Sequence, residues 1–306
     1  MKKLKLLLLF ISVLIISCNK DEYKIIDSDE AIPSSQALKN LYDSKTSSLT
    51  KVLTFDASST LNYTSEKGVL LTINGNCLRK NGNPVIGQVK VKYIEIFDKG
   101  DMLTSNKPTI GKIGSNYDML VSGGEFYIQA TQDDINLTLT CPFSLNVPTS
   151  LTGGTDTSML PFSGTTDANG ELSWEQPSGY DMTVTSSTSP VYAALIPSFG
   201  WFNCDRFKGF TGPKTPITVN VPAGYGSNCS IFLALKSDPH SLSKTLYGQF
   251  PIGLDCYLIF VTEKNGKFRY VVKPQILTAN HTVTFSLSET TIASPDELTA
   301  VINALP

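Results

Sequence analysis

The stretch CYLIFVTEKNGKFRYVVKPQIL, residues 256–277, carries the clearest fold signal in the chain. Two runs rich in Tyr, Ile, Phe and Val flank the dipeptide Asn265-Gly266. Asn and Gly accept the positive φ angles that a type I′ turn requires, and β-branched and aromatic residues favour strands. The stretch therefore predicts an antiparallel β-hairpin with a two-residue turn.

Similar short runs, separated by Gly, Asn, Asp and Pro, continue through most of the chain and predict a mainly β protein. In GQVKVKYIEIF, residues 87–97, the alternation slips at Tyr93-Ile94, which indicates either a β-bulge or a strand covered on both faces. The segment 148–170 is dominated by Thr, Ser, Gly and Asp. We therefore place a domain boundary at its start and predict two β-sandwich domains, residues 34–150 and 151–306.

Two helices are predicted at the ends of this β region. SSQALKNLY, residues 34–42, places its apolar residues on one face behind a serine that can cap, and this helix is assigned to the first domain. SPDELTAVINALP, residues 294–306, combines Ser294, Pro295 and Glu297 as a capping box with a proline at the first helical position. Its predicted buried stripe is Leu298, Val301, Ile302 and Leu305, which should pack on the second sandwich.

Residues 1–17 have the pattern of a secretory signal. Three lysines precede an apolar run from Leu6 to Ile16, which is shorter than the 18 or so residues of a membrane span. The following Ser17-Cys18 resembles the lipobox of bacterial lipoproteins, and this resemblance implies cleavage before Cys18 and acylation of its sulfur and new amino group. Several acyl chains would anchor the protein stably to a membrane. The alternative is an ordinary signal peptide with an incidental cysteine.

Residues 18–33 are predicted to form an acidic tether. Within it, Lys20, Asp21 and Glu22 resemble the export signal of bacteroidete surface lipoproteins. That resemblance implies an outer-membrane location facing the cell exterior. The alternative is that these charges only keep a linker solvated.

Composition excludes some functions and leaves others open. Without the three signal lysines the chain has 22 basic and 27 acidic residues, a net charge of about −5, which argues against nucleic-acid binding. Five cysteines remain after Cys18, and no CxxC pair occurs, so no zinc site is predicted. Calcium could be held by Asp98 and Asp101 or by Asp167 and Asn169, but neither loop has the repeated acid spacing of a calcium motif, so no metal site is predicted. Most are expected to be buried thiols. If a disulfide forms, Cys229 with Cys256 is the favoured pair, since both are expected on strands of the second domain.

Three longer segments resemble a family of uncharacterised bacteroidete surface lipoproteins. They are GVLLTINGNCLRKNGNPVIGQVKVKYIEIFDKGDML at residues 68–103, LVSGGEFYIQATQ at residues 120–132 and FGWFNCDRF at residues 199–207. The first domain of that family is similar to the ZU-five β-sandwich of zonula-occludens and netrin-receptor proteins. The resemblance implies a β-sandwich fold and a surface location, and it provides no active site to transfer.

No catalytic residue and no cofactor is predicted. The two histidines, His240 and His281, lack metal-site spacing and are expected in loops or at the surface. Ser241 and Lys244 have the SxxK spacing of penicillin-recognising enzymes, but the other motifs of that class do not follow, so the match is interpreted as coincidence. Asp98, Asp101 and Glu125 remain candidates for a glycosidase carboxylate pair, because sequence spacing does not report their separation.

The densest aromatic cluster is SFGWFNCDRFKGF, residues 198–210. Exposed, Trp201 and Phe202 could stack on sugars or anchor a protein partner, with Asp205 and Arg206 orienting it. Buried, the rings would fill a sandwich core and leave an Asp205 or Arg206 ion pair at the edge, which is the favoured interpretation. The sequence thus favours a surface binding, adhesion or accessory module for a glycan or protein. An extracellular hydrolase and a structural surface-layer component are the alternatives.

The lipid anchor has a direct test. A Cys18→Ala chain should take up no labelled palmitate in growing cells, because the acylated atoms are gone. A Cys229→Ala chain, which keeps Cys18, should label like the wild type. Label on the Cys18→Ala chain would contradict the lipobox assignment.

Overall fold

The computed structural model describes residues 31–167, 171–185, 188–236 and 238–306. The predicted signal peptide, Cys18 and the signal Lys20-Asp21-Glu22 lie outside these residues. Residues Pro33–Pro306 form one compact unit. None of the helices in the described part of the chain has the length and apolar character that a membrane span requires.

The described residues are mainly β, as predicted. The α-helices are α1 Ser35–Leu49, α2 Lys99–Thr104 and α3 Pro295–Asn303. Single 3-10 turns occur at Gly75–Cys77, Thr149–Thr152, Thr245–Tyr247 and Leu287–Glu289. The strands are β1 Lys51–Asp56, β2 Thr60–Thr64, β3 Leu70–Asn74, β4 Leu78–Lys80, β5 Asn83–Pro84, β6 Gln88–Ile96, β7 Ile110–Ile113, β8 Asn116–Gln132, β9 Ile135–Asn136, β10 Thr138–Leu139, β11 Phe143–Pro148, β12 Leu160–Thr166, β13 Leu172–Glu175, β14 Asp181–Val184, β15 Val191–Ile196, β16 Gly200–Phe207, β17 Lys214–Thr215, β18 Ile217–Asn220, β19 Cys229–Leu235, β20 Leu242–Lys244, β21 Phe250–Pro251, β22 Asp255–Lys264, β23 Lys267–Ile276, β24 His281–Thr284 and β25 Thr291–Ala293.

A β-sandwich is formed by two sheets. The large sheet has the strand order β1-β6-β8-β16-β12-β13-β7, and the second sheet has the order β14-β15-β11-β3-β2. Side chains such as Val91 and Phe126 from the large sheet and Leu71 and Leu145 from the second sheet fill the space between them. Tyr93 of β6 belongs to this core, whereas the next residue, Ile94, packs on the opposite face of the large sheet. The slip in alternation is therefore a strand covered on both faces, with an unbroken register to β1 and β8.

One end of the large sheet closes on itself. The long strand β8 pairs with β16 along one part and with β7 along another, and β7 also pairs with β13, so β8, β16, β12, β13 and β7 form a ring. Its interior is filled by Leu120, Phe162, Leu172 and Trp174. A Cβ atom on Gly164 would lie 2.6 Å from the Cβ of Trp201, so this tight closure requires a glycine there.

The C-terminal sheet, with the order β20-β19-β22-β23-β25, is buried on both faces. The predicted hairpin is its centre: β22 and β23 are joined by Asn265 (φ 52°) and Gly266 (φ 75°), which confirms the predicted turn. One face packs on α1, α2 and α3, and the other packs on the parallel pair β18–β24. Because both faces are covered, seven consecutive residues of β22, from Cys256 to Thr262, are buried.

The predicted domain boundary at residue 150 does not separate two compact units. Strand β11, before the boundary, pairs with β15 after it, and β8 pairs with β16 in the same way. The Ser-, Thr- and Gly-rich segment after Pro148 thus leads from β11 into β12, a strand of the large sheet that falls inside the segment itself. The loop-like composition suggested a boundary, but it conceals a strand that buries Phe162, and it does not report which sheet the chain enters next.

Both predicted helices form, with two differences. α1 is capped by Ser34 as predicted but continues to Leu49, because Lys45 forms ion pairs with Asp101 of α2 (3.1 Å) and Asp296 of α3 (3.0 Å). It packs on the C-terminal sheet, not on the first sandwich. α3 has the predicted capping box and buries Leu298 and Ile302, but Val301 is exposed, which corrects the predicted stripe.

The predicted Cys229–Cys256 disulfide is wrong. Cys229 lies opposite Thr262, whereas Cys256 lies opposite Leu235 at the other end of the same strand pair. Six residues of strand separate them by about 20 Å, far beyond the reach of a disulfide. The disulfide present joins Cys77 and Cys141, whose Cα atoms are 5.6 Å apart, and Cys204, Cys229 and Cys256 are free thiols.

Removal of this disulfide should lower stability markedly. The link closes a sequence separation of 64 residues, and the chain-entropy model assigns such a loop about 4 kcal/mol. We expect a Cys77→Ala/Cys141→Ala variant to show that loss in urea unfolding, and reducing agent to bring the wild type to the same midpoint. A Cys229→Ala variant should change little. Peptide mapping that linked Cys229 to Cys256 would contradict the assignment.

Candidate functional site

A cleft of about 780 Å³ lies beside the edge of the C-terminal sheet. Its walls come from α1, the residues after α2, the ends of the β12–β13 connection, strands β19 and β20, and the turn Thr245–Tyr247. Within this cleft, the ionisable side chains are Lys39, Tyr42, Asp43, Lys107, Asp167, Glu171, Cys229, Lys244 and Tyr247. A volume of this size and a lining of mixed polarity are typical of a small-ligand site.

Lys244 forms the most buried charge pair of the cleft. It is the last residue of β20 and is 1% exposed. Its Nζ donates to both carboxylate oxygens of Glu171 at 2.7 and 2.6 Å and lies 5.2 Å from the ring centroid of Phe232. Burial lowers the pKa of Lys244, and Glu171 opposes that effect. The pair therefore holds Glu171, and with it the start of β13, against the C-terminal sheet.

Lys107 is a second lysine of the cleft, and it has no acidic partner at contact distance. Its Nζ donates to the carbonyl of Ser105 at 3.1 Å and lies 5.6 Å from the ring centroid of Trp201. Among the described residues, no carboxylate lies within 4.0 Å of it. Burial lowers the pKa of Lys107, against the more distant charges of Glu125, Asp43 and Glu171. Two of its three N–H donors are therefore free to bind a ligand.

Two further polar atoms of the cleft lack partners. The Tyr42 hydroxyl and the Asn106 side-chain oxygen are buried without a hydrogen bond. Ser230 lies near the Tyr42 hydroxyl, but no bond of acceptable geometry joins them, and burial raises the pKa of Tyr42 far above its usual range. Asn106 is also held at φ 56°, in the left-handed region. Buried polar groups without partners are uncommon and costly in folded proteins, so both atoms point to a missing ligand or solvent partner.

The turn Thr245–Tyr247 separates this cleft from a second one of about 700 Å³. Tyr247 and Leu246 line both, and the Tyr247 ring lies 4.9 Å from that of Tyr117. Leu246 is 64% exposed. An exposed apolar side chain beside a partly buried ring forms a ridge on which the apolar face of a ligand can rest.

Cys229 is the free thiol of the cleft. Its Sγ donates to the carbonyl of Gly226 at 3.2 Å. Burial raises the pKa of Cys229 to about 11, and nearby Lys244 only partly opposes this. At neutral pH the sulfur is therefore a thiol and a poor nucleophile.

The residues that the sequence proposed for ligand binding lie elsewhere. Phe202 is in the sandwich core and Asp205 is fully buried, so neither can reach a ligand. Arg206 pairs with Asp156 at 2.6 Å, an ion pair at the edge of the sheet, as the burial interpretation expects. Trp201 is partly buried between Tyr127 and Trp174 and touches the cleft only through Lys107.

The remaining sequence candidates have structural roles. The His240 ring contacts the Phe97 carbonyl at 2.8 Å. His281 is 6% exposed on β24, so the expectation of a loop or surface position is wrong for it. Asp98 precedes α2, and Asp101 pairs with Lys45. In the described residues, no three His, Cys, Asp or Glu side chains lie close enough to share a metal ion.

The sequence did not reveal the cleft. Lys244 appeared only within the coincidental SxxK pattern, and on strand β20 it points away from Ser241, whose hydroxyl donates to the Leu120 carbonyl at 2.7 Å. Lys107 and Glu171 come from loops that are far apart in the chain. Only Tyr42 had a detectable signal, as part of the apolar face of α1, and that signal predicted burial and no binding role.

Loss of Glu171 should destabilise the fold. We expect Glu171→Gln to cost about 3 to 5 kcal/mol in urea unfolding at neutral pH, because it leaves the Lys244 ammonium buried without a counter-charge. The folded-state pKa of Lys244 then falls further below its unfolded value. The loss should therefore shrink as the pH is raised toward the ordinary pKa of lysine, where the amine is neutral in both states.

Glu175→Gln is the matched control for Glu171→Gln. It breaks the Lys112–Glu175 ion pair, in which both side chains are more than 40% exposed, and should cost less than about 1 kcal/mol. If both variants lost the same free energy of unfolding, the buried Lys244 would not depend on Glu171 more than an exposed lysine depends on its partner.

Comparison with known proteins identified no relative that could assign this site. No protein-family model matches the chain. No curated protein matches it significantly either. The geometry of the cleft and its unpaired polar groups is therefore the basis on which a function is assigned.

Proposed function

We propose that the protein is a lipid-anchored binding protein of the bacterial outer membrane, whose cleft captures a polar ligand at the cell surface without transforming it. The anchor rests on Cys18 and the outward orientation on Lys20, Asp21 and Glu22, all of which are sequence inferences. The proposal that the cleft binds a ligand rests on the structure of the described residues. Resemblance to the bacteroidete surface lipoproteins, with their ZU-five-like domain, supports the same proposal.

One observation carries the binding function: three side chains with unused hydrogen-bonding capacity converge on one cleft. Tyr42 and Asn106 present buried atoms without partners, and Lys107 presents an ammonium group with a single carbonyl acceptor. A folded protein without a ligand gains nothing from leaving such groups unpaired. A ligand that pairs Lys107, and reaches the buried Tyr42 and Asn106 atoms as the wall of the cleft adjusts, would recover that free energy on binding.

The lining favours a polar ligand with an apolar face, such as a segment of a glycan. The cleft offers donors and acceptors together with the Tyr247 ring, and its lysines are accompanied by Asp43, Asp167 and Glu171, so no single sign of charge dominates. Sugars present hydroxyl groups at their edges and C–H groups on their faces, which suits this combination. A flat protein partner would use far less of a recess of this depth.

The arrangement gives less support to a hydrolase. Glycoside hydrolysis requires two carboxyl groups that face the scissile bond. Of the three acids lining the cleft, Asp43 pairs with Lys39 at 2.6 Å, Glu171 pairs with Lys244, and Asp167 accepts from the Glu171 backbone N–H at 2.9 Å. The residues Glu125 and Asp205 are adjacent in the sheet but completely buried, so a polymer cannot reach them.

Binding should depend on Lys107 and Tyr247. With the chain Asn19–Pro306, which contains the whole compact unit, a panel of neutral and uronic-acid oligosaccharides and short peptides is screened by thermal shift, and positive compounds are measured by calorimetry. We expect an oligosaccharide to bind, and Lys107→Met or Tyr247→Ala to weaken it at least tenfold, about 1.4 kcal/mol. Each change removes either a charged donor or a stacking ring.

The control is Lys92→Met, which removes an exposed lysine on β6 outside the cleft and should leave binding unchanged. Binding that is unaffected by both cleft variants would place the ligand elsewhere. Preferential binding of peptides would exclude the glycan assignment while keeping the cleft as the site.

A further inference from the structure

Four polar residues share the face of the large sheet that is turned away from the sandwich core. Glu125 of β8 lies directly opposite Asn203 of β16, and Ser122 lies opposite Asp205, with a register shift between Asn203 and Asp205. All four side chains have no exposed surface. Directly opposed residues in a sheet have Cβ atoms about 5 Å apart, so the four form one cluster.

Most polar atoms of the cluster have no hydrogen-bond partner in the protein. Both carboxylate oxygens of Glu125, both of Asp205 and the side-chain nitrogen of Asn203 have no hydrogen bond. The Ser122 hydroxyl lies beside Asp205 but donates to the side-chain oxygen of Asn203 at 2.9 Å. The Gly123 backbone N–H also lies near the Asp205 carboxylate, without a hydrogen bond of acceptable geometry. Five unpaired polar atoms in one buried place require an unseen partner.

The cluster also lacks a counter-charge. Lys107 is the lysine whose charge acts on Glu125, yet its Nζ is beyond ion-pair distance. Residues 238–241 lie beside β8 at this point, where the Ser122 N–H donates to the His240 carbonyl at 3.2 Å, and they contribute Asp238, which already pairs with Lys208 at 2.8 Å. Two buried carboxylates without a nearby cation are strongly unfavourable as ions, and burial raises the pKa of both.

We propose that Glu125, Asp205 and Asn203 bind a divalent metal cation, Ca²⁺ by the chemistry of the ligands, with Ser122 orienting the Asn203 amide. A charge of +2 balances the two carboxylates. All the ligand atoms are oxygens if the Asn203 amide is rotated so that its nitrogen donates a hydrogen bond to Ser122 and its oxygen faces the cation. The oxygen and nitrogen of an amide side chain are assigned from the hydrogen bonds around them, so this orientation is allowed. Two bidentate carboxylates and one amide oxygen supply five ligand atoms, close to the six to eight that Ca²⁺ uses. The Ser122 oxygen accepts from the Gly124 N–H at 3.0 Å and from the turned amide, so it orients Asn203 and is not a ligand itself.

This cation site is independent of the cleft and of the proposed binding function. The cluster does not line the cleft, and its groups are closed to solvent. An ion held there would join β8 to β16 at the shift in register. Its role is to stabilise the fold, in the way that structural metals couple binding to folding.

The test must allow for the complete burial of the site, because ions exchange only when the site opens. The chain Asn19–Pro306 is unfolded in urea with EDTA and refolded with EDTA, with CaCl₂ or with MgCl₂. We expect about one Ca²⁺ per chain by mass spectrometry after desalting, and a melting temperature on the order of 5 °C higher with Ca²⁺ than with EDTA. Mg²⁺ should give a smaller shift, since it prefers to keep its waters.

Substitution within the cluster should remove the effect. Glu125→Gln is expected to lose the Ca²⁺ shift while melting in EDTA no lower than the wild type, because one buried charge has been neutralised. Glu66→Gln, at an exposed carboxylate, should keep the full shift. If Glu125→Gln does not fold, the metal content of the wild type and the rise in its melting temperature with Ca²⁺ still test the proposal.

The alternative is that protons neutralise the pair. The wild-type chain would then melt at the same temperature in EDTA and in calcium and contain no stoichiometric metal. Its stability would fall as the pH rises above the ordinary pKa range of carboxyl groups, since carboxyl groups with raised folded-state pKa values lose their stabilising protons as the pH passes through those values. That result would overturn the cation proposal.

Discussion

Burial of β22 on both faces is the constraint on which the rest of the molecule depends. One face of the C-terminal sheet, through Tyr257, Ile259 and Val261, holds the three helices. The other, through Leu258 and Phe260, holds the parallel pair β18–β24. Each fully buried side chain of this kind contributes about 1.5 to 3 kcal/mol, so a run of them outweighs the turns and edges around it. The cleft exists because α1 and the edge strand β20 are both fixed to this sheet.

Local features of the fold were predictable from the sequence because they depend on a few adjacent residues. The turn at Asn265-Gly266 and the capping box at Ser294 and Glu297 require particular residue types at fixed offsets. The pairing of elements was not predictable in the same way. The return of the chain to the first sandwich in β12 and β16 depends on packing between distant segments. The composition of segment 148–170 does not reveal that it contains β12.

The cleft was even less predictable from the sequence than the pairing of the strands. Its groups come from α1, from residue 107, from residue 171 and from β20, and no two of these are neighbours in sequence. Each alone has an ordinary interpretation: a lysine in a loop, an acid before a strand, a tyrosine on a helix face. The aromatic cluster around Trp201 was prominent because its residues are contiguous, yet contiguity marks a core strand as readily as a binding surface. What distinguishes the cleft is unmet hydrogen-bonding capacity, which is a property of three-dimensional arrangement.

The position of α1 has a consequence for how the chain folds. Lys45 contacts Asp296 across a sequence separation of 251 residues, and the strands that α1 covers lie in the last quarter of the chain. Contacts between such distant segments close late and slow folding. The helix made first by the ribosome is thus among the last elements to be fixed in place. A chain with this topology stays open during synthesis and acquires its cleft only after its last strands have been made.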